Sequence, residues 1–175
     1  MKKLFALMLA LCLLCSFALA EEETPVLNWA DYSNNESVAS GSFQQVTFPD
    51  IVTLLYWVPG NMAAFDVNLI QADIPPVAAF ATEDGNYTIS VFALNITSLE
   101  AYLTELQSKG TDKFRNVTVN GIDCVSCENE ETSIDILVVP ITETQVLVYN
   151  FTPLNGDDDW DATKAVIVAS IQVAQ

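Results

Sequence analysis

The sequence contains no histidine. That absence removes the Ser-His-Asp and Cys-His catalytic arrangements and every His-ligated metal centre. No P-loop and no GxGxxG stretch occurs, so the common nucleotide-binding motifs are missing as well. Basic residues are scarce: six Lys and Arg stand against 23 Asp and Glu, a net charge of −17. Such a charge disfavours nucleic acid and anionic membranes, where cationic side chains supply most of the affinity. Solubility or a cationic partner remains as its use. Any catalysis would have to rest on carboxylates, Tyr, Lys or Cys. Paired carboxylates can cleave glycosides, but the acids are scattered and no pair stands out.

The chain opens with "MKKLFALMLALCLLCSFALA". Lys2 and Lys3, an apolar run from Leu4 to Leu14, and small residues at Ala18 and Ala20 have the form of a secretory signal. The run is too short for a comfortable membrane anchor. Cleavage is expected between Ala20 and Glu21. Cys12 and Cys15 each follow leucine, whereas a bacterial lipoprotein has a small residue before its cysteine. Beyond the leader, 155 residues carry four basic side chains, Lys109, Lys113, Arg115 and Lys164, against the same 23 acids, a net charge of −19. One domain of this length can bury a proper core. The organisation expected is a signal peptide over residues 1–20, a polar leader over 21–42 and a single domain over 43–175.

Within that domain "SFQQVTF" and "VTLLYWV" read as strands, the second closed by Pro59-Gly60. The runs "VAAFAT" and "YTISVFAL" flank Glu83-Asp84-Gly85-Asn86, a hairpin signal. In "TSLEAYLTELQSKG", Leu99, Tyr102, Leu103 and Leu106 recur with helical spacing. Thr97 and Glu100 have capping-box spacing, and Gly110 is placed to end the helix in the left-handed region. Asn120-Gly121 predicts a two-residue hairpin. "SIDILVVP" and "QVLVYNFTP" are two further strands. Asp157, Asp158 and Asp159 then open a final helix, with Trp160, Thr163, Ile167, Ile171 and Ala174 along one stripe. The order is strands, helix, strands, helix, without βαβ alternation. The fold class expected is α+β: an antiparallel sheet carrying a central helix (about 98–109) and a C-terminal helix (about 157–173).

A paired strand near the start, the "SLEAYLTEL" helix, "TVNGIDC", two long strands and a last helix ending "AVIVASIQ" resemble the PsbP-like fold. The resemblance spans about residues 43–173. Its most recognisable parts are Val119-Asn120-Gly121 and Ala169-Ser170-Ile171. It implies a non-enzymatic accessory or binding protein and carries over no catalytic residue and no cofactor.

Cys124 and Cys127 are the sharpest chemical feature. In an exported protein a disulfide is permitted. On one strand, however, residues three apart lie about 10 Å apart and face opposite sides, and a disulfide needs Cα atoms within roughly 7 Å. A turn at Val125-Ser126 would permit the bond. Acidic Asp123, Glu128, Glu130 and Glu131 work against a low-pKa redox thiol, and no further N or S ligands complete a zinc site. Asp157, Asp159 and Asp161 alternate like the opening of a calcium loop, but Ala162 and Val168 occupy its glycine and glutamate positions. N-x-S/T triplets at Asn35, Asn86, Asn95, Asn116 and Asn150 would matter only on a eukaryotic secretory route.

These readings lead to an exported bacterial protein, a non-catalytic binding or accessory domain for a protein or cell-envelope ligand. No cofactor, no nucleic acid and no membrane after signal removal are expected. The alternative is a small carboxylate-dependent hydrolase of the cell envelope.

Overall fold

The computed structural model describes residues 24–34, 36–70 and 73–174. The expected signal peptide over residues 1–20, its expected cleavage point between Ala20 and Glu21, and Asn35 lie outside the described residues. Strand β1 (Val26–Leu27) and the short helix α1 (Trp29–Tyr32) come first, then a 3-10 turn over Glu36–Ser40. Strands β2 (Ser42–Phe48), β3 (Val52–Val58) and β4 (Met62–Ala64) follow. The hairpin β5 (Ala78–Thr82) and β6 (Thr88–Asn95) leads into helix α2 (Leu99–Ser108). Two further hairpins follow, β7 (Asp112–Val119) with β8 (Ile122–Asn129), and β9 (Ile134–Thr142) with β10 (Gln145–Thr152). Helix α3 (Asp158–Ala169) and strand β11 (Gln172–Val173) close the chain.

The strands form two sheets rather than the single sheet expected. Eight lie in the order β1-β7-β8-β9-β10-β6-β5-β4 and three in the order β11-β3-β2. Pairing is antiparallel throughout except between β1 and β7, which run parallel through Val26–Thr118 and Leu27–Val119. The polar N-terminal stretch thus lends a strand to the edge of the large sheet.

Alternation along β9 and β10 divides the interior in two. Leu137, Val139, Leu147 and Tyr149 face the principal core, shared with Leu54 and Tyr56 of the small sheet and with Trp160 and Ile167 of α3. Val138, Val146 and Val148 face the other way, into a smaller cluster covered by Leu99, Tyr102, Leu103 and Leu106 of α2. Helix α2 therefore lies on one face of the large sheet. The small sheet and α3 lie on the other.

The local signals explain most element ends. Asn120 and Gly121 both take positive φ (48° and 81°), as the tight hairpin requires. Gly110 takes φ 84° just past α2. The cap of α2 is one residue later than expected: Ser98, not Thr97, accepts the amide of Ala101. Asp157 caps α3 by accepting the amide of Trp160.

The C-terminal helix is shorter than expected. It ends at Ala169, because the Ser170 hydroxyl donates to the Ile167 carbonyl and accepts the amide N–H of Trp57 in β3. That hook turns the chain into β11, where Gln172 and Val173 pair with Leu55 and Leu54. Trp160, Ile167 and Ile171 are all buried, as the stripe predicts, although Ile171 stands beyond the helix.

Candidate functional site

Both cysteines of the CxxC stretch lie within β8, buried and free. The strand sends them to opposite faces. Cys124 joins the principal core and Cys127 the cluster beneath α2. Burial pushes each thiol up to about 12, with Asp123 adding to the effect at Cys124 and Asp135 and Glu128 at Cys127. A thiol in that state stays protonated at neutral pH and is a poor nucleophile.

Two of the three aspartates that alternate like a calcium loop are engaged elsewhere. Asp157 accepts from the Trp160 amide and from the Tyr87 hydroxyl at 2.9 Å, and Asp161 pairs with Lys164 at 3.1 Å. A hollow between β7 and α3 contains Lys164, whose ammonium is already bound to Asp135 and to the Leu154 carbonyl. It ties α3 to the sheet.

A cleft of about 430 Å³ between α2 and the face of β6, β9 and β10 is different. Its volume falls in the range of small-molecule sites, ~300–1,000 Å³. Phe92 and Leu94 of β6, Ile136 of β9 and Val148 of β10 form the floor, and Tyr102 and Leu106 of α2 form a wall. These positions follow from period 2 in the strands and 3.6 in the helix. Burial pushes the Tyr102 hydroxyl up to about 12, with Cys127 and Glu105 adding smaller effects, so the phenol stays protonated.

Asn150 is one of the polar residues that line this cleft, with Asn95 and Thr97. It sits on β10 between Ser90 and Ile136, and its Oδ1 is buried without any hydrogen-bond partner. Leaving such an acceptor unpaired costs about 1–3 kcal/mol. At the mouth stand Asp73, Glu105 and Lys109. The Lys109 ammonium is bound to Glu105 at 2.6 Å.

The sequence reading did not single out this cleft. Asn150 was visible only as a glycosylation triplet. The available signal was an amide in the middle of "QVLVYNFTP", facing the same side as Val146 and Val148. Among the other triplets, Asn86 donates to Asp84 and Asn95 accepts from Gln145.

Among the described residues no helix is long and apolar enough to cross a membrane. No family model matches the chain. No curated protein matches it either. Among solved structures it is similar to the solution structure of cyanobacterial PsbP (CyanoP) from Synechocystis sp. PCC 6803. The two are 13% identical, and the match covers 76% of this chain and 93% of that one at a TM-score of 0.47. The name is that of the fold type the sequence resembles, but a likeness this distant assigns neither ligand nor role.

Proposed function

We propose that this chain is an exported bacterial binding domain without catalytic activity, whose ligand occupies the cleft beneath α2. The observation that carries this reading is the cleft itself: an apolar floor and wall with Asn95, Thr97 and Asn150 among its polar lining. That is the chemistry of a binding site, an apolar body with few fixed polar points. The N-terminal signal pattern supports export, with cleavage after Ala20. The acidic surface favours a protein or cell-envelope ligand over nucleic acid.

The hydrolase alternative has little behind it. A glycosidase needs one carboxyl held protonated and a second one ionised nearby. The shifted carboxyls, Asp84 and Glu130, are both lowered, by the Thr82 hydroxyl and by Lys113 respectively. In the cleft, Glu105 is occupied by Lys109.

A thermal-shift screen of small amphipathic molecules tests the reading. Ala101 is an exposed residue on the cleft side of α2, so Ala101→Trp should block the cleft without disturbing the core. Ligands that raise the melting temperature of the wild type should fail to do so in this variant. A screen without any ligand sensitive to Ala101→Trp would count against the proposal.

A further inference from the structure

We propose that Asn155 is a site of spontaneous deamidation that loosens α3, and that Asn120 is spared in the folded protein. The chain has two Asn-Gly pairs, Asn120-Gly121 and Asn155-Gly156. Glycine after asparagine leaves the backbone nitrogen open to approach, because no side chain shields it. That nitrogen, once deprotonated, attacks the side-chain carbonyl carbon of the asparagine. A C–N bond forms, the side-chain amide leaves as ammonia, and a cyclic succinimide remains. Solvent water then opens the ring at either carbonyl, which gives aspartate or isoaspartate. The net change is one water consumed and one ammonia released. The attack requires a side-chain amide free to turn onto the chain. Asn120 is held: its Nδ2 donates to the carbonyls of Ala169 and Ile171, and its Oδ1 accepts the amide N–H of Trp29. Asn155 is exposed, and among the described residues neither its side-chain amide nor the backbone nitrogen of Gly156 makes a hydrogen bond. The pair sits in a bend between β10 and α3, outside any helix or strand.

The effect on α3 follows from the neighbours. Leu154 before the pair is buried, and Asp157 after it caps the helix. Gly156 lies against the Trp160 ring, with no room for a Cβ. Aspartate changes only the charge of this bend. Isoaspartate routes the main chain through the former side chain and adds a methylene between Leu154 and Asp157. That displaces Gly156 from Trp160 and Asp157 from its capping position.

The test is incubation of the protein at pH 8, folded and in guanidinium chloride, with samples taken over days. Peptide mapping reads each Asn-Gly pair, since deamidation replaces an NH2 by an OH and raises the mass. In guanidinium both pairs should convert at similar rates. In the folded protein Asn155 should convert at least about tenfold faster than Asn120, which reacts only when its hydrogen bonds open. Equal rates at the two pairs in the folded protein would overturn the assignment. So would conversion of Asn155 in denaturant alone. Asn155→Gln, whose longer side chain must close a larger ring, should remove the folded-state conversion at this position. The isoaspartate form, separated by ion exchange, should melt below both the wild type and Asn155→Asp. A melting temperature equal to that of Asn155→Asp would overturn the loosening of α3.

Discussion

The side-chain amide of Asn120 donates to the carbonyl of Ile171 at 2.8 Å, across 51 residues of chain. The same nitrogen donates to the Ala169 carbonyl at 2.7 Å, and the side-chain oxygen accepts the amide N–H of Trp29 at 2.8 Å. One hairpin residue thus holds the exit of α3 and the start of α1 together. Asn suits the place twice, because it tolerates positive φ and carries both a donor and an acceptor.

Replacement of Asn120 separates those two roles. Asn120→Gly keeps the backbone conformation and removes three hydrogen bonds. It should lower stability by about 2–4 kcal/mol, at roughly 0.5–1.5 each. Urea unfolding measures this, and a loss below about 0.5 kcal/mol would mean the bonds do not hold the chain ends.

The two thiols should be inert in the folded protein. Iodoacetamide at pH 8 should leave both Cys124 and Cys127 unmodified, and should label both once the chain is unfolded in denaturant. Intact mass gives the count. A mass two protons lower, with no labelling in denaturant, would reveal a disulfide and contradict the placement of the pair on opposite faces of β8.

Stability should fall on the alkaline side. Burial raises Cys124, Cys127, Tyr56 and Tyr102 to about 12, and Tyr149 well above its ordinary 10. The unfolded chain loses these protons first, so above pH 9 it binds fewer protons than the folded chain. The stabilisation is therefore complete below pH 9 and is lost as pH rises from 9 towards 12. A melting temperature that stays flat from pH 8 to 11 would refute it.

Trp160 fastens α3 to the principal core. It is 4% exposed, lies with its ring 4.8 Å from that of Tyr87 at a 30° tilt, and donates its indole N–H to the Pro153 carbonyl at 2.9 Å. Trp160→Ala should cost about 3–5 kcal/mol. Gly156→Ala should also destabilise, because a Cβ there would overlap the Trp160 ring. Removing everything from Asp157 onward should abolish the cooperative melt. A truncated chain that still melts cooperatively near the original temperature would show that α3 is dispensable.

Lys164 makes a partly buried ion pair with Asp135. Lys164→Met leaves that carboxylate unpaired and should cost roughly 1–3 kcal/mol, less than the ~3–5 of a fully buried pair. Adding Asp135→Asn to the variant should recover part of the loss. No recovery would mean that the lysine stem, rather than its charge, matters.

Much of the fold was legible because its signals are local. Asn120-Gly121, Gly110 and the acidic start of α3 each name a backbone conformation without reference to distant residues. What failed depends on partners far along the chain. Ser170 ends α3 early only because Trp57 offers an amide 113 residues away. Val26 and Leu27 become a strand only because the edge of β7 is open to them. The candidate site was hidden for the same reason. Its floor and wall come from four separate elements.

The division of the interior into two clusters has a consequence for dynamics. Helix α2 contains no fully buried residue, and its apolar side rests on the smaller cluster alone. The large sheet stands between that cluster and the principal core. The helix can therefore lift away without admitting water to Tyr56, Tyr149 or Ile167. Amide hydrogen exchange should then fall into two tiers, fast through local opening in α2 and slow through whole-molecule unfolding in β9 and β10. A molecule seated in the cleft would slow the fast tier and leave the slow tier almost unchanged. The helix is thus a built-in reporter of occupancy, readable before the occupant itself is known.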